Sequence, residues 1–134
     1  MTRPPPRLFV LMAASAPAAL VIVRGSSDWV HLVGWDTSHD TITPGAWFHG
    51  RIDAPRCDLS PDGRLLVCKL YKGNRASTEY TDCGTAISRS PWLHALAVWP
   101  MGTTYGGGGR FVGEPSLVLR GRRAIKNILS IRRG

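Results

Sequence analysis

Short apolar runs separated by turn-forming residues are the feature that most limits how this chain can fold. It contains 15 glycines and 10 prolines in 134 residues, and many of them stand between apolar stretches of about four to eight residues. Stretches of that length suit β-strands, and glycine or proline beside them stops a helix from continuing through. One domain of this size can bury a core. The sequence therefore predicts an all-β, antiparallel domain of about seven to nine short strands.

The clearest local signal is a tight turn. Ser60-Pro61-Asp62-Gly63 lies between Asp58-Leu59 and the apolar run Leu65–Tyr71. Proline presets the first turn dihedral, aspartate hydrogen-bonds to its own backbone, and glycine adopts the positive φ that closes the turn. We therefore expect an antiparallel hairpin here, with Leu65 or Leu66 and Val67 pointing into the core.

The same grounds predict strands elsewhere in the chain. In order, they are Leu8–Ala14, Leu20–Arg24, Trp29–Asp36, Thr41–Thr43, Ala46–Ile52, Thr85–Ser88, Trp92–Trp99 and a piece around Leu117–Leu119. The first two are expected to pair. Ser90 and Pro91 would also suit the start of a helix over 92–99, but the β context favours a strand. Residues 72–84 and 101–110 are expected to be loops.

The N-terminus fits two interpretations. Arg3 and Arg7 before the apolar stretch, with Ala14-Ser15-Ala16 after it, outline a secretory signal. The apolar character resumes at Ala18–Val23, however, as it would in a hairpin of two buried strands. Together the stretch is about sixteen residues with a proline inside, which is short for a membrane span. We expect strands, no transmembrane segment and a cytoplasmic location, with export through residues 1-16 as the alternative.

The C-terminus concentrates positive charge, and the whole chain has a formal net charge of +8. The candidate anion-binding residues are Arg120, Arg122, Arg123, Lys126, Arg132 and Arg133. Such an excess attracts nucleic acid or other anions, although a solvated basic tail is the simpler interpretation. Apolar residues between Arg123 and Ile131 have helical spacing. We predict one β domain over 1–120 and a basic tail over 121–134, with a possible short C-terminal helix.

Two stretches resemble parts of a known architecture. CDLSPDGRLLV resembles the hairpin of TolB-like and WD40-like β-propeller blades, and VHLVGWDTSHDTITPG resembles the end of such a blade. The string from WDTSHDTITPGAWFHGRI to TAISRSPWLHALAVWP and GGGGRF is similar to a group of uncharacterised bacterial proteins, which implies no activity. The resemblance implies one to two propeller-blade-like four-stranded sheets. A closed propeller needs at least about four blades, so a fragment, an oligomerising piece or a compact domain with a blade-type hairpin is expected.

No catalytic pattern stands out. Cys57, Cys68 and Cys83 are widely spaced, which predicts neither a disulfide framework nor a zinc site. Cys57 with His49 is the one cysteine–histidine pair close in sequence, and such a dyad needs a thiolate beside a base. The GxSxG, HExxH and P-loop signatures are missing from the sequence. We expect no catalytic residue, metal or cofactor, and a Cys-dependent enzyme is the least favoured function.

Five tryptophans provide the remaining hint. Trp35 and Trp99 are expected in the core. The candidate interaction surface consists of Trp47, Phe48, His49 and Arg51. Aromatic rings beside an arginine can anchor a protein partner or stack on bases, whereas a sheet edge that packs its aromatics inward is the plainer alternative. The leading prediction is a non-enzymatic interaction module that binds another protein or a second copy; the alternative is a nucleic-acid-associated basic protein.

Overall fold

The protein is built almost entirely from strands. The computed structural model describes residues 7–25, 29–72, 83–101, 108–112, 117–119 and 124–125. The strands are β1 (Arg7–Met12), β2 (Ala18–Arg24), β3 (Trp29–Asp36), β4 (Thr41–Ile52), β5 (Asp58–Leu59), β6 (Leu65–Lys72), β7 (Cys83–Arg89), β8 (Ala95–Met101), β9 (Gly109–Phe111), β10 (Leu117–Leu119) and β11 (Ala124–Ile125). One turn of 3-10 helix, Ala54–Arg56, is the only helical element among the described residues. The all-β, antiparallel prediction is confirmed.

The strands form two successive four-stranded meanders, β1–β4 and β5–β8. In the main sheet the order is β1-β2-β3-β4-β6-β7-β8, with β5 paired to β6. The meanders are hydrogen-bonded to each other because Gly50–Ile52, at the end of β4, pairs with Leu70–Lys72 of β6. The two meanders therefore belong to one eight-stranded sheet and are not the separate four-stranded sheets that were expected. A second sheet has the order β11-β10-β9.

Strand β4 is longer than expected. Thr41–Thr43 and Ala46–Ile52 are parts of one strand rather than two, because β3 pairs with both and a bulge accommodates the Pro44-Gly45 step. The extra residue lies opposite the interval from His31 to Val33. The strand therefore continues through Pro44, which pairs with Val33.

The predicted hairpin between β5 and β6 is confirmed. Leu59 pairs with Leu66 across it, and Gly63 has a φ of 76°. The Ser60 hydroxyl donates to Asp62 Oδ1 at 2.6 Å and accepts from the Leu65 backbone N–H at 2.9 Å. Leu65, Leu66 and Val67 are all buried. Local side-chain chemistry therefore determines this turn, as the sequence indicates.

The N-terminal hairpin is also confirmed. β1 pairs with β2 from Arg7 opposite Arg24 to Met12 opposite Ala19. Its turn contacts the second meander, because the Ser15 N–H donates to the Pro61 carbonyl at 2.9 Å. Among the described residues there is no helix with the length and hydropathy that a membrane crossing requires.

The core lies on the inner side of the curled main sheet, where both meanders contribute apolar side chains. Its buried members are Leu20, Ile22, Val30, Leu32, Ile52, Cys57, Leu59, Leu66 and Cys68. The opposite side of β5–β7 is covered as well. The Phe111 N–H donates to Asp58 Oδ2 at 2.8 Å, and the Gly108 N–H donates to Thr85 Oγ1 at 2.7 Å.

Several expectations need correction. A helix over 123–131 is wrong at Ala124 and Ile125, which form β11 because pairing with Leu117 and Val118 of β10 outweighs a weak helical periodicity. The other residues of that segment lie outside the described part of the chain. The domain division at residue 120 stays a prediction. Trp35 is partly exposed and donates from Nε1 to Asp40 Oδ1 at 2.9 Å, so it is not a core residue.

The strand predicted over 92–99 is present, but it begins later, at Ala95, and Trp99 has no described side chain. Gly109 and Arg110, expected in a loop, belong to β9 instead. Both differences concern strand ends. Pairing with a neighbour sets those ends, and the neighbour is not visible in the local sequence.

Candidate functional site

One face of the first meander is exposed and has uncharged strand residues, with the Asp40 carboxylate of the β3–β4 turn at its edge, hydrogen-bonded to Trp35 Nε1. Side chains alternate across a strand, so Leu20 and Ile22 of β2 point into the core while Val21 and Val23 point outward. We call the outward set the outer face. Its members are Leu8, Val10, Met12, Ala19, Val21, Val23, Trp29, His31, Val33, Trp35, Ile42, Pro44, Trp47 and His49. From Leu8 to His49, the described outward positions include no Asp, Glu, Lys or Arg.

Exposure of large apolar side chains is high on the outer face. Leu8 and Ile42 are each 65% exposed, and Trp47 is 62% exposed. Scattered exposed apolar residues are ordinary on a protein surface, whereas a contiguous patch rimmed by polar residues marks a contact site. Here the exposed residues lie on neighbouring strands of one sheet face, so they form such a patch.

Two stacked ring pairs lie on the β3–β4 part of this face, at the end where β3 begins. The rings of His31 and Trp47 are 3.9 Å apart between centroids and 5° from parallel. Those of Trp29 and His49 are 4.7 Å apart and inclined by 21°. Each pair consists of residues directly opposite on antiparallel strands, where side chains contact most closely.

A repeated tripeptide produces these stacks. The sequence contains Trp-x-His three times, at 29–31, 47–49 and 92–94, and the first two copies lie on the paired strands β3 and β4. When two copies run antiparallel in this register, the tryptophan of each copy lies opposite the histidine of the other. The sequence reasoning found the second copy and missed the first. The repeat itself was the available signal.

The stacking holds the exposed Trp47 ring in one orientation. Its inner surface lies on the His31 imidazole, whose Nε2 is buried and has no hydrogen-bond partner among the described residues. A ring that is already ordered loses little conformational freedom when a partner contacts it. The arrangement therefore presents a pre-organised aromatic surface to solvent.

The structure separates the predicted interaction residues. Trp47, His49 and Arg51 occupy successive outward positions on β4, whereas Phe48 is partly buried against the core. Inward packing, the plainer alternative, therefore holds for Phe48. The six basic residues predicted to bind anions (Arg120, Arg122, Arg123, Lys126, Arg132 and Arg133) lie outside the described residues.

Cys57 and His49, the cysteine–histidine pair that the sequence left as the least favoured possibility, do not lie together. Cys57 and Cys68 are free and buried in the core, and Cys57 Sγ donates to the Asp53 carbonyl at 3.2 Å. Burial, with a further contribution from neighbouring Cys57, raises the pKa of the Cys68 thiol well above its usual value. His49 points to the outer side of β4, away from the core that holds Cys57. The described residues contain no group of three His, Cys, Asp or Glu side chains able to hold a metal.

Comparison of the chain with protein-family models, curated proteins and solved structures finds no match. The resemblance to propeller hairpins therefore stays a prediction. The function has to be argued from the geometry of the outer face and from the charges around it.

Proposed function

We propose that this protein is a non-enzymatic interaction module that binds a partner protein through the outer face of β1–β4. The observation that carries the proposal is the uncharged apolar surface around Trp29 and Trp47. Centres of protein interfaces are depleted of charge and enriched in aromatic side chains, and tryptophan is prominent among the residues that dominate affinity. Stacking on His31 and His49 adds pre-organisation, which lowers the entropic cost of binding.

The charge distribution indicates the chemistry of the partner. Arg51 follows His49 at the next outward position on β4, so a guanidinium borders the apolar surface. The net charge of +8 opposes association of two identical chains. The best complement is therefore a different protein, with an apolar patch bordered by carboxylates that meet Arg51.

Peptide selection on the purified protein tests this proposal. A random displayed library should yield peptides that combine apolar residues with Asp or Glu. Trp47→Ala should raise the Kd of the best synthetic peptide by about 30-fold or more, the effect of removing a hot-spot tryptophan. Trp92→Ala is the matched control, because Trp92 is 45% exposed but lies outside β1–β4. The Kd of the peptide for this variant should stay within about twofold of the wild-type value.

Two further measurements test whether a second copy of the chain or a nucleic acid binds the outer face instead of a partner protein. Sedimentation should give a monomer, and a dimer that dissociates in the Trp47→Ala variant would make a second copy the occupant and overturn the proposal. A fluorescent oligonucleotide should not bind through this face. Binding that weakens steeply between about 50 and 200 mM salt would favour the nucleic-acid alternative instead.

The cytoplasmic location is proposed with it. Cleavage after residue 16 would remove β1, which pairs along its whole length with β2. The mass of the mature protein checks this, and a chain starting near residue 17 would contradict it.

A further inference from the structure

A second candidate site lies at the end of the main sheet where Arg24 pairs with Val30, the residue between Trp29 and His31. A pocket of about 840 Å³ opens there between β1, β2 and the end of β4. Phe9, Ile22, Ile52 and Pro55 are among the apolar residues that line it. Its volume falls within the range of about 300–1,000 Å³ that is usual for small-molecule sites. The walls can therefore accommodate an apolar body of moderate size.

Three arginines converge on this pocket. Arg7 of β1 and Arg24 of β2 are direct cross-strand partners, and Arg51 reaches the same pocket from β4. Like charges directly opposite each other in a sheet destabilise it. Among the described residues no carboxylate lies within ion-pairing distance of these three side chains. The cluster therefore has a positive charge that no described group compensates.

The acid at the pocket wall is already engaged. Asp53 lines the pocket, and its Oδ2 lies 3.7 Å from Arg56 Nε. An anionic ligand head would thus meet three guanidinium groups and one partly neutralised carboxylate. The balance favours an anion.

We infer that this pocket binds a small amphipathic anion, with a carboxylate or phosphate head held by Arg7, Arg24 and Arg51 and an apolar body packed against Phe9 and Ile22. Guanidinium groups bind both kinds of head through paired, charge-assisted hydrogen bonds. A neutral ligand of the same shape does not reduce the repulsion between Arg7 and Arg24. An anion without an apolar body does not displace water from the apolar walls. The pocket shares Leu8 and Arg51 with the outer face and its border, but none of the stacked rings lines it. Binding of a small anion there therefore goes beyond the proposed function.

Calorimetry with four probes tests the ligand class. Octanoate and octyl phosphate share the apolar body and differ in the head, 1-octanol lacks the charge, and inorganic phosphate lacks the body. At least one of the two amphiphiles should bind about tenfold more tightly than both octanol and phosphate. Equal affinity for octanol, equal affinity for phosphate, or no binding of either amphiphile would overturn the inference. Binding to phosphatidylglycerol vesicles without binding of either amphiphile would assign the arginines to a membrane surface and would overturn it too.

Variants test the residues. Replacing both Arg24→Gln and Arg51→Gln should weaken amphiphile binding by about tenfold or more, since each removes charge-assisted hydrogen bonds. Arg64→Gln is the control, because Arg64 is exposed at the opposite end of β6 and its replacement removes one positive charge far from the pocket. It should leave affinity within about twofold. An equal loss in Arg64→Gln would reduce the effect to overall charge and contradict the assignment.

Two more readouts keep the test independent of folding and of the outer face. Without ligand, Arg24→Gln should unfold at the same temperature as wild type or higher, because it relieves repulsion with Arg7. Trp47→Ala should bind octanoate as wild type does. If Trp47→Ala abolished octanoate binding, the ligand would occupy the outer face rather than the pocket, and the inference would be wrong.

Discussion

The two meanders begin from similar apolar sequences and end with different surfaces. In β6, Leu65 through Lys69 are all buried, which requires cover on both faces of the strand. In β3, burial alternates, with Val30 and Leu32 buried and Trp29 exposed. β9 lies against the outward side of the second meander, whereas no described element covers the outer face of the first. A continuous apolar run therefore indicates that both faces of a strand could be buried. Whether both are buried depends on which other parts of the chain pack against them.

Substituting leucines in the two meanders should produce the largest difference. Leu66→Ala removes a fully buried core side chain and should lower the free energy of unfolding by about 2–5 kcal/mol. Leu8→Ala, at a position 65% exposed, should cost less than about 1 kcal/mol. Urea unfolding of both variants measures the contrast. Equal losses would mean that the outer face is buried in solution, and the distinction between the meanders would fail.

A glycine pair tests the turn that connects the two halves of the second meander. Gly63 has a φ of 76°, and a Cβ there would lie 2.8 Å from the Cβ of Ala18 in the first meander. Gly63→Val should therefore destabilise the protein by about 1–3 kcal/mol.

Gly25→Val is the matched control, since no atom lies within 4 Å of the position its Cβ would take. Its unfolding free energy, from the same urea titration, should change by no more than about 0.5 kcal/mol. Comparable losses at both positions would show that the contact between the β5–β6 turn and Ala18 does not matter for stability.

Local chemistry explains which parts of the fold the sequence could predict. The β5–β6 hairpin follows from the side chains of Ser60, Asp62 and Gly63 themselves, all within a few residues. The pairing of β1 with β2 follows from two apolar runs with a short turn between them. These contacts lie close together in sequence, so no knowledge of distant residues was needed.

Features that depend on distant pairing could not be predicted. Lys69 is fully buried, with Nζ 5.0 Å from the centroid of the Tyr71 ring, although a lysine in a strand is normally expected to reach water. The arginine cluster arises from the register that places Arg7 opposite Arg24 and from the length of β4. Only part of the candidate site was predicted, because the remaining part depends on strand register. Trp47 and His49 were identified, but their partners Trp29 and His31 depend on the β3–β4 register.

The cross-strand stacks should contribute a smaller, measurable stabilisation to the first meander. A double-mutant cycle with His31→Ala and Trp47→Ala should give a coupling free energy of about 0.5–1.5 kcal/mol, as found for paired rings. Chemical denaturation of the four proteins measures it. A coupling near zero would mean that Trp47 is not held by His31, and the pre-organisation argued for the outer face would be lost.

The smallest effect is expected at the exposed turn that joins β3 to β4. The Ser38 hydroxyl donates to Asp36 Oδ1 at 2.7 Å and His39 Nδ1 lies 3.1 Å from Oδ2, and these hydrogen bonds, that of Ser38 first, lower the pKa of Asp36 from 3.8 to about 2. Because the folded pKa of Asp36 lies below the unfolded one, the contribution of the ionised carboxylate to stability is complete above about pH 4 and disappears as the pH falls towards 2.

Melting temperatures of wild type and Asp36→Asn should therefore differ by a constant amount above pH 5 and converge between about pH 4 and pH 2. Ser38→Ala removes the hydrogen bond that lowers the Asp36 pKa most. In that background, the difference in melting temperature that Asp36→Asn produces should be smaller at neutral pH. If wild type and Asp36→Asn kept a constant separation down to pH 2, the turn would contribute through its shape rather than through the ionised carboxylate.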